Sequence, residues 1–358
     1  MVNYWHEEEM GASWKSVLNS DPVPWLLDGE DPAVAAQTLQ SLEDRHPTDP
    51  EIRSLQTKAM LADPIKTILG AQSREGQWLG DNPNWAYRKY QGSSWNLLFL
   101  AELGAIPENP QVQKGCRNLL ENNFVEGVGA FSANGRPNGV MVCFNAHMVY
   151  ALTRLGFGGD PRLASAMHWL ARQQSKSGGF LCRIIEYALL PDCVMTIPKV
   201  LKMAGAIPKS ERTQETQTMV QRAVDYLLSL QLYRYVPARS KEWYEMTWKK
   251  PIAEIRQLKQ RFEPGPLGEK KGWLRFQFPL HYNSDLLEVL WTMARLKVNR
   301  NPVIKQGIEQ MLSLQTPKGA WVMKDSLNGK MWIDIEKKGQ PSRWLTLRAC
   351  EVLKMYID

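Results

Sequence analysis

Cys143, Cys182, Cys193, Asp192, His281 and Asp285 are the residues of this chain with the most chemistry to offer, and they recur at one kind of place. Each stands at the start of an apolar stretch or just ahead of one. Cys143 lies in Met141-Val142-Cys143-Phe144-Asn145-Ala146-His147 and Cys182 follows Gly178-Gly179-Phe180. Asp192-Cys193 precedes a further apolar stretch, and His281 with Asp285 precedes Leu286-Leu287-Glu288-Val289-Leu290-Trp291. Thiolate sulfur, imidazole nitrogen and carboxylate oxygen are the ligands of tetrahedral zinc. Cys143, Cys182, Cys193, His281 and Asp192 therefore form a candidate metal set, with zinc as the expected ion. A second chemistry draws on the same group: the Cys193 thiol with His281 and Asp285 could move protons on an apolar alcohol or alkene, as a dehydratase or isomerase must. If Asp285 is buried, it keeps its proton to higher pH and serves as a general acid. The plainer duties of such residues are filling small core gaps, for cysteine, and facing the dipole at a helix start, for aspartate.

These residues must be positioned by something, and the chain repeats itself. Ile65–Trp78, Met167–Phe180 and Ile308–Trp321 each run an amphipathic helix into Gln, three residues, Gly, one residue and an aromatic. A decayed copy ends at Phe131, and Val224–Gln231 begins the pattern without completing it. Between the copies, helices stop at Gly104, Gly156 and Gly205, where a left-handed conformation suits glycine. Hairpins recurring at about fifty residues cannot each bury an apolar face alone and must stack on one another. The expected fold is all-α: a ring of about five to six helical hairpins, an α/α toroid, around a central pocket. Residues 1–62 are expected to add a bracing helix pair capped by Asp31 and Asp49, and residues 63–358 to form the ring. Equivalent positions on successive repeats would then converge at one end of the pocket. Trp85, Tyr87, Trp95, Tyr282, Trp332 and Trp344 could line it and stabilise a carbocation through their π faces. Arg183, Arg343 and Lys89 are candidate partners for an anionic group.

Composition narrows the classes. The chain of 358 residues is 44% hydrophobic, enough for a substantial core, and no apolar run approaches the eighteen or so residues of a membrane span. The acidic start Met1–Glu9 has no apolar h-region, so a cytoplasmic location is expected. The five cysteines are then expected as free thiols or metal ligands. The net charge of +7 comes from 44 basic against 37 acidic residues interspersed along the chain, not from a clustered stripe, so no nucleic-acid partner is expected.

The Gln-x-x-x-Gly-x-aromatic endings resemble the QW motif of squalene and oxidosqualene cyclases and the related repeat of protein prenyltransferase β subunits. The resemblance runs from Ile65 to the C-terminus. A closer likeness, to a bacterial and archaeal group of single toroids, rests on Gly329–Glu336 and Gly339–Trp344. The resemblance implies a ring whose inner helices enclose an isoprenoid chain, with glutamine bracing neighbouring backbone. It also implies zinc on Asp192, Cys193 and His281, matched to the prenyltransferase Asp and Cys after a Gly-Gly-Phe turn and a later His. Neither a DxDD nor a DDxxD motif is present, so the proton donor and magnesium site of terpene cyclases are not implied.

An insertion at about 233–275 separates the third and fourth units. Its Trp243, Tyr244, Trp248 and Trp273 lie among lysines and arginines, a mixture that could cover one mouth of the cavity or rest that mouth on a membrane surface. The function expected is an enzyme isomerising, cyclising, dehydrating or transferring a hydrophobic, isoprenoid-type substrate, with zinc assisting. The alternative is a non-catalytic lipid-binding or scaffold toroid.

Overall fold

The computed structural model describes residues 13–80, 82–180, 192–235, 267–281 and 283–358. Its principal helices are α1 (Pro32–Ser41), α2 (Pro50–Leu61), α3 (Ile65–Gly70), α4 (Ser93–Leu103), α5 (Pro110–Asn123), α6 (Val142–Leu152), α7 (Pro161–Arg172), α8 (Thr196–Gly205), α9 (Gln214–Ser229), α10 (Leu286–Arg295), α11 (Pro302–Leu312) and α12 (Arg343–Ile357).

Two kinds of helix alternate, and the sequence distinguishes them. Helices α5, α7 and α11 start with Asn or Asp followed by Pro, and the side chains of Asn109, Asp160 and Asn301 accept backbone N–H groups of the first turn. Such helices announce their own beginnings and bury one stripe. Asp31 and Asp49 cap α1 and α2 in the same way, as expected. Helices α4, α6, α8 and α10 have almost no exposed residue; all eleven residues of α4 are buried. They form because neighbours cover them on every side.

The inner helices pack in the order α4, α6, α8, α10, α12, and α12 meets α1. Helices α1, α2, α3 and α4 then pack in succession, and the Gln37 carboxamide of α1 donates to the Glu102 carbonyl of α4. The ring thus closes through the N-terminal pair, around one main apolar core, with a small separate cluster of Ala36, Leu39 and Ile52 between α1 and α2. The fold is an α/α toroid.

The repeat turns join outer helices to inner ones. Gln72 pairs with Trp78, Gln174 with Phe180 and Gln315 with Trp321 across each turn. The Gln72 carboxamide donates to Gly76 O (3.2 Å) of its own turn and to Gln111 O (3.0 Å) of the next outer helix. Gln174 does the same with Gly178 O and Met219 O. Trp78, Phe131, Phe180 and Trp321 have no exposed surface. The backbone N–H of three of them is received by the following inner helix or its start: Trp78 by Ser93, Phe131 by Asn145 and Trp321 by Thr346. Gly76, Gly178 and Gly319 all have positive φ, and a Cβ on Gly178 would stand 2.4 Å from the Arg222 carbonyl. Of the expected glycine stops, Gly104 and Gly156 are left-handed, whereas Gly205 is not. There the helix runs on to a right-handed Ala206 at φ −83°, so α8 needs no left-handed residue.

Gly178→Ala is predicted to cost about 2 kcal/mol or more, from a strained φ and the collision with Arg222. Gly127→Ala, in an open turn with nothing within 4 Å of the new methyl, should change stability by less than about 0.5 kcal/mol. Urea unfolding of the two variants checks the contrast.

Candidate active site

Four inner helices send charged side chains to one another through the middle of the ring. Glu102 of α4 is contacted by Lys202 of α8 and Arg348 of α12. Lys199 of α8 lies 2.5 Å from the Glu288 carboxylate of α10, with Lys202 3.6 Å from its other oxygen. None of these side chains is more than 6% exposed. Burial would raise the Glu102 pKa, but the Lys202 and Arg348 charges outweigh it and hold the carboxyl at about 2. Burial acts the other way on Lys199 and lowers it. Aromatic faces cover the cations: Lys202 lies over Tyr150 and Arg348 over Phe278 and Trp291. Among the described residues this ion cluster fills the centre, where an open apolar cavity was expected. A cavity of about 30 Å³ remains beside Glu102 and Tyr150, room for a water or two.

A second opening lies at the N-terminal end of α10. It measures about 460 Å³, and Met195, Trp273, Leu280, Ser284 and Asp285 are among the residues that line it. Asp285 caps α10: its Oδ1 accepts the Glu288 N–H at 2.8 Å and its Oδ2 the Gln277 N–H at 3.0 Å. Asp285 is 2% exposed, and this burial chiefly raises its pKa to about 7, with the Glu288 charge adding to the rise. The two backbone donors and Lys199 oppose that rise without cancelling it. Asp285 is therefore a helix cap whose carboxyl is pushed up to about 7 by burial.

The other candidates divide. His281 stacks on Trp95 with ring centroids 3.5 Å apart, and His147 lies 4.5 Å from it on the other contact. Burial, followed by neighbouring charge, keeps both imidazoles neutral well below the usual range. Tyr87 and Phe144 pack edge to face beside them. Cys143 and Cys193 are close enough to interact; burial first, and Cys193 second, push the Cys143 thiol up to about 11. Asp192 is drawn away: its carboxylate accepts the Ser175 and Ser177 hydroxyls of the Gln174–Phe180 turn. Cys182 lies outside the described residues, as do Arg183, Tyr282, Trp243, Tyr244 and Trp248. Among the described residues no three His, Cys, Asp or Glu side chains are grouped to hold a metal. Arg343, expected as an anion partner, pairs with Asp28 and Glu30. Cys116 and Cys350 are buried core thiols.

The sequence reading missed Glu102, Lys199, Lys202, Glu288 and Arg348. The available signal was a single charge in a helix with no polar face, Glu102 within Leu97–Leu103.

No family model matches the chain, and no curated protein matches it. Among solved structures it is similar to the type II terpene cyclase MstE from Scytonema, at 14% identity over 91% of this chain and 87% of that one, with a TM-score of 0.44. It is similar also to a variant of that enzyme in complex with geranylgeranyl dihydroxybenzoate, at 14% identity over 91% and 86% with a TM-score of 0.42. A protein from Actinoplanes matches at 13% identity over 90% and 89%, with a TM-score of 0.42. No helix among the described residues is long and apolar enough to cross a membrane.

A carboxyl whose folded pKa is raised from 3.8 to about 7 favours folding fully below the lower value and loses that contribution as pH rises through the upper one. Asp285→Asn keeps a capping oxygen and cannot ionise. It also sets an amide NH2 against one of the two N–H groups, a cost that does not change with pH; the stability of the variant relative to the native chain is predicted to rise by on the order of a few kcal/mol between pH 4 and pH 8. Urea unfolding across that window checks this; a difference that stays constant with pH would show a simple cap.

Proposed function

We propose that this chain is an acid catalyst for a hydrophobic, isoprenoid-type small molecule, with Asp285 as the proton donor. The observation that carries the reading is a buried carboxyl, titrating at about 7, in the wall of a 460 Å³ pocket. At neutral pH about half of such groups hold a proton, which is the condition for general acid catalysis. The proton passes from the carboxyl to an alkene carbon or a leaving hydroxyl, and positive charge develops on the substrate. The carboxylate left behind is received by two backbone donors already in place, Gln277 N–H and Glu288 N–H, which need no reorganisation at the moment of transfer. Loss of a proton from a neighbouring carbon completes an isomerisation, a cyclisation or, after departure of water, a dehydration. Tyr235 and Trp273 line the same opening as Asp285, and aromatic π faces favour a passing cation.

The test is turnover of a panel of isoprenoid alcohols and alkenes in D2O, followed by mass spectrometry. Deuterium should enter the product, the rate should fall as pH rises through about 7, and Asp285→Asn should lower it by on the order of 10²–10⁴-fold. If the folded native chain binds these molecules and returns them unchanged, it is a non-catalytic lipid-binding toroid.

A further inference from the structure

Asp285 is not isolated from the ion cluster at the centre of the ring. The Lys199 ammonium makes two contacts of 2.5 Å, one to the Glu288 carboxylate and one to the Asn283 carbonyl, two residues before Asp285. The Ser284 hydroxyl donates to Met195 O at 3.2 Å, a second tie between the same segment and the start of α8. Glu288 in turn belongs to both places. Its backbone N–H reaches Asp285, and its side chain enters the central cluster, where Lys199 and Lys202 meet it. Lys199 has no exposed side-chain surface and Glu288 has none, so water does little to screen either charge from the carboxyl one turn away.

We propose that the buried Lys199–Glu288 pair positions and tunes the Asp285 acid, Lys199 by anchoring the Asn283–Asp285 segment and favouring the anion, Glu288 by disfavouring it. The proposal rests on Asp285 being the proton donor described above, and it makes both members of the pair positioning residues that need not touch substrate. The charges on the elements around Asp285 fit this division. On its own helix the neighbour is Glu288, and from α8 come Lys199 and Lys202. Behind them Glu102 and Arg348 largely satisfy each other. His281, on the preceding segment, and His147 of α6 are neutral. At the pocket rim Arg275 is paired with Asp325, while Lys270 and Lys271 line the same opening. The two charges nearest the acid by chain and by contact are therefore opposite in sign and separately removable.

Removing them should move the acid in opposite directions. The measurement is a carbon-13 NMR titration of the Asp285 carboxyl in aspartate-labelled protein, assigned by its loss in Asp285→Asn. Glu288→Gln is expected to lower the Asp285 midpoint by about one pH unit, and Lys199→Met to raise it by about one. The falling limb of the rate–pH profile should move with each midpoint. A purely structural pair would lower thermal stability in both variants and leave the midpoint in place. Both single variants retain partners for the remaining charge, since Glu288 keeps Lys202 and Lys199 keeps the Asn283 carbonyl. If one of them fails to fold, comparing Lys199→Met/Glu288→Gln with the folded single variant isolates the missing charge, because the double variant leaves neither charge alone. Midpoints that move less than about 0.2 unit, or in the same direction, overturn the proposal. The titration needs no substrate: midpoints that move as expected while Asp285→Asn keeps full turnover refute the proton-donor reading alone.

Discussion

Glu102 sits between Lys202 and Arg348 with almost no access to water, and the inner ring is arranged around keeping that carboxylate and Glu288 paired. Each charge comes from a different part of the chain: Glu102 from α4, Lys199 and Lys202 from α8, Glu288 from α10, Arg348 from α12. Taking such groups out of water is costly, and removing one partner from a buried pair costs about 3–5 kcal/mol. Leucines at these sites would tolerate several helix registers. An ammonium meeting a carboxylate within hydrogen-bond distance tolerates one. The cluster is therefore weak as a source of net stability and strong as a constraint on how four buried helices align.

The outer layer was legible because its devices are local. A Gln and a Gly four residues apart specify a turn in which the carboxamide donates to a carbonyl of its own turn and to one of the next outer helix, and only glycine fits the left-handed backbone against Arg222. An Asp or Asn before Pro specifies where an outer helix starts. The centre was not legible because lysine and glutamate inside a helix ordinarily mark its solvated face. Lys199 and Lys202, three apart, look like one side of an amphipathic helix until it is known that α8 is covered all round. Asp192 and Cys193 are both candidate zinc ligands by sequence, though adjacent residues do not easily reach one ion from a regular helix. Asp192 is instead engaged by the serines of its own repeat turn, a partnership formed across seventeen residues for Ser175. Asp285 was half legible: a carboxylate ahead of an apolar run signals a cap, and its acidity depends on burial that only the assembled ring provides.

That burial reverses the usual behaviour of a capping aspartate. Two backbone N–H groups and the positive end of a helix dipole ordinarily lower a carboxyl's pKa. Here desolvation exceeds them, and Glu288, fixed one turn along by its own ion pairs, adds to the rise. An alternative α10 without Glu288 would still be capped, but its aspartate would be a weaker store of protons at neutral pH. The local rule and the global environment oppose each other here, as they do at Asp31, where burial raises the carboxyl against the two backbone N–H groups it caps.

The same opposition explains why the acid lies at the N-terminal end of an inner helix rather than in its middle. A carboxyl buried mid-helix has no free backbone donors to receive the charge it gains on losing a proton and needs cations of its own, as Glu102 has in Lys202 and Arg348. At the first turn of α10 the unsatisfied N–H groups are part of the helix itself, so the anion is tolerated once formed even though the neutral acid is preferred beforehand. The repeat architecture supplies five inner-helix starts, yet α4 begins after Gly92, α6 after Met141 and α8 after Met195, and Ser342 caps α12 with a hydroxyl. Among these five described helices α10 is the one whose N-cap residue is itself ionisable, although the Glu336 carboxylate accepts the first N–H of α12, and at α10 the ion cluster reaches the cap's own turn through Glu288. A common scaffold is thereby made chemically asymmetric by one capping residue and the charge three positions after it.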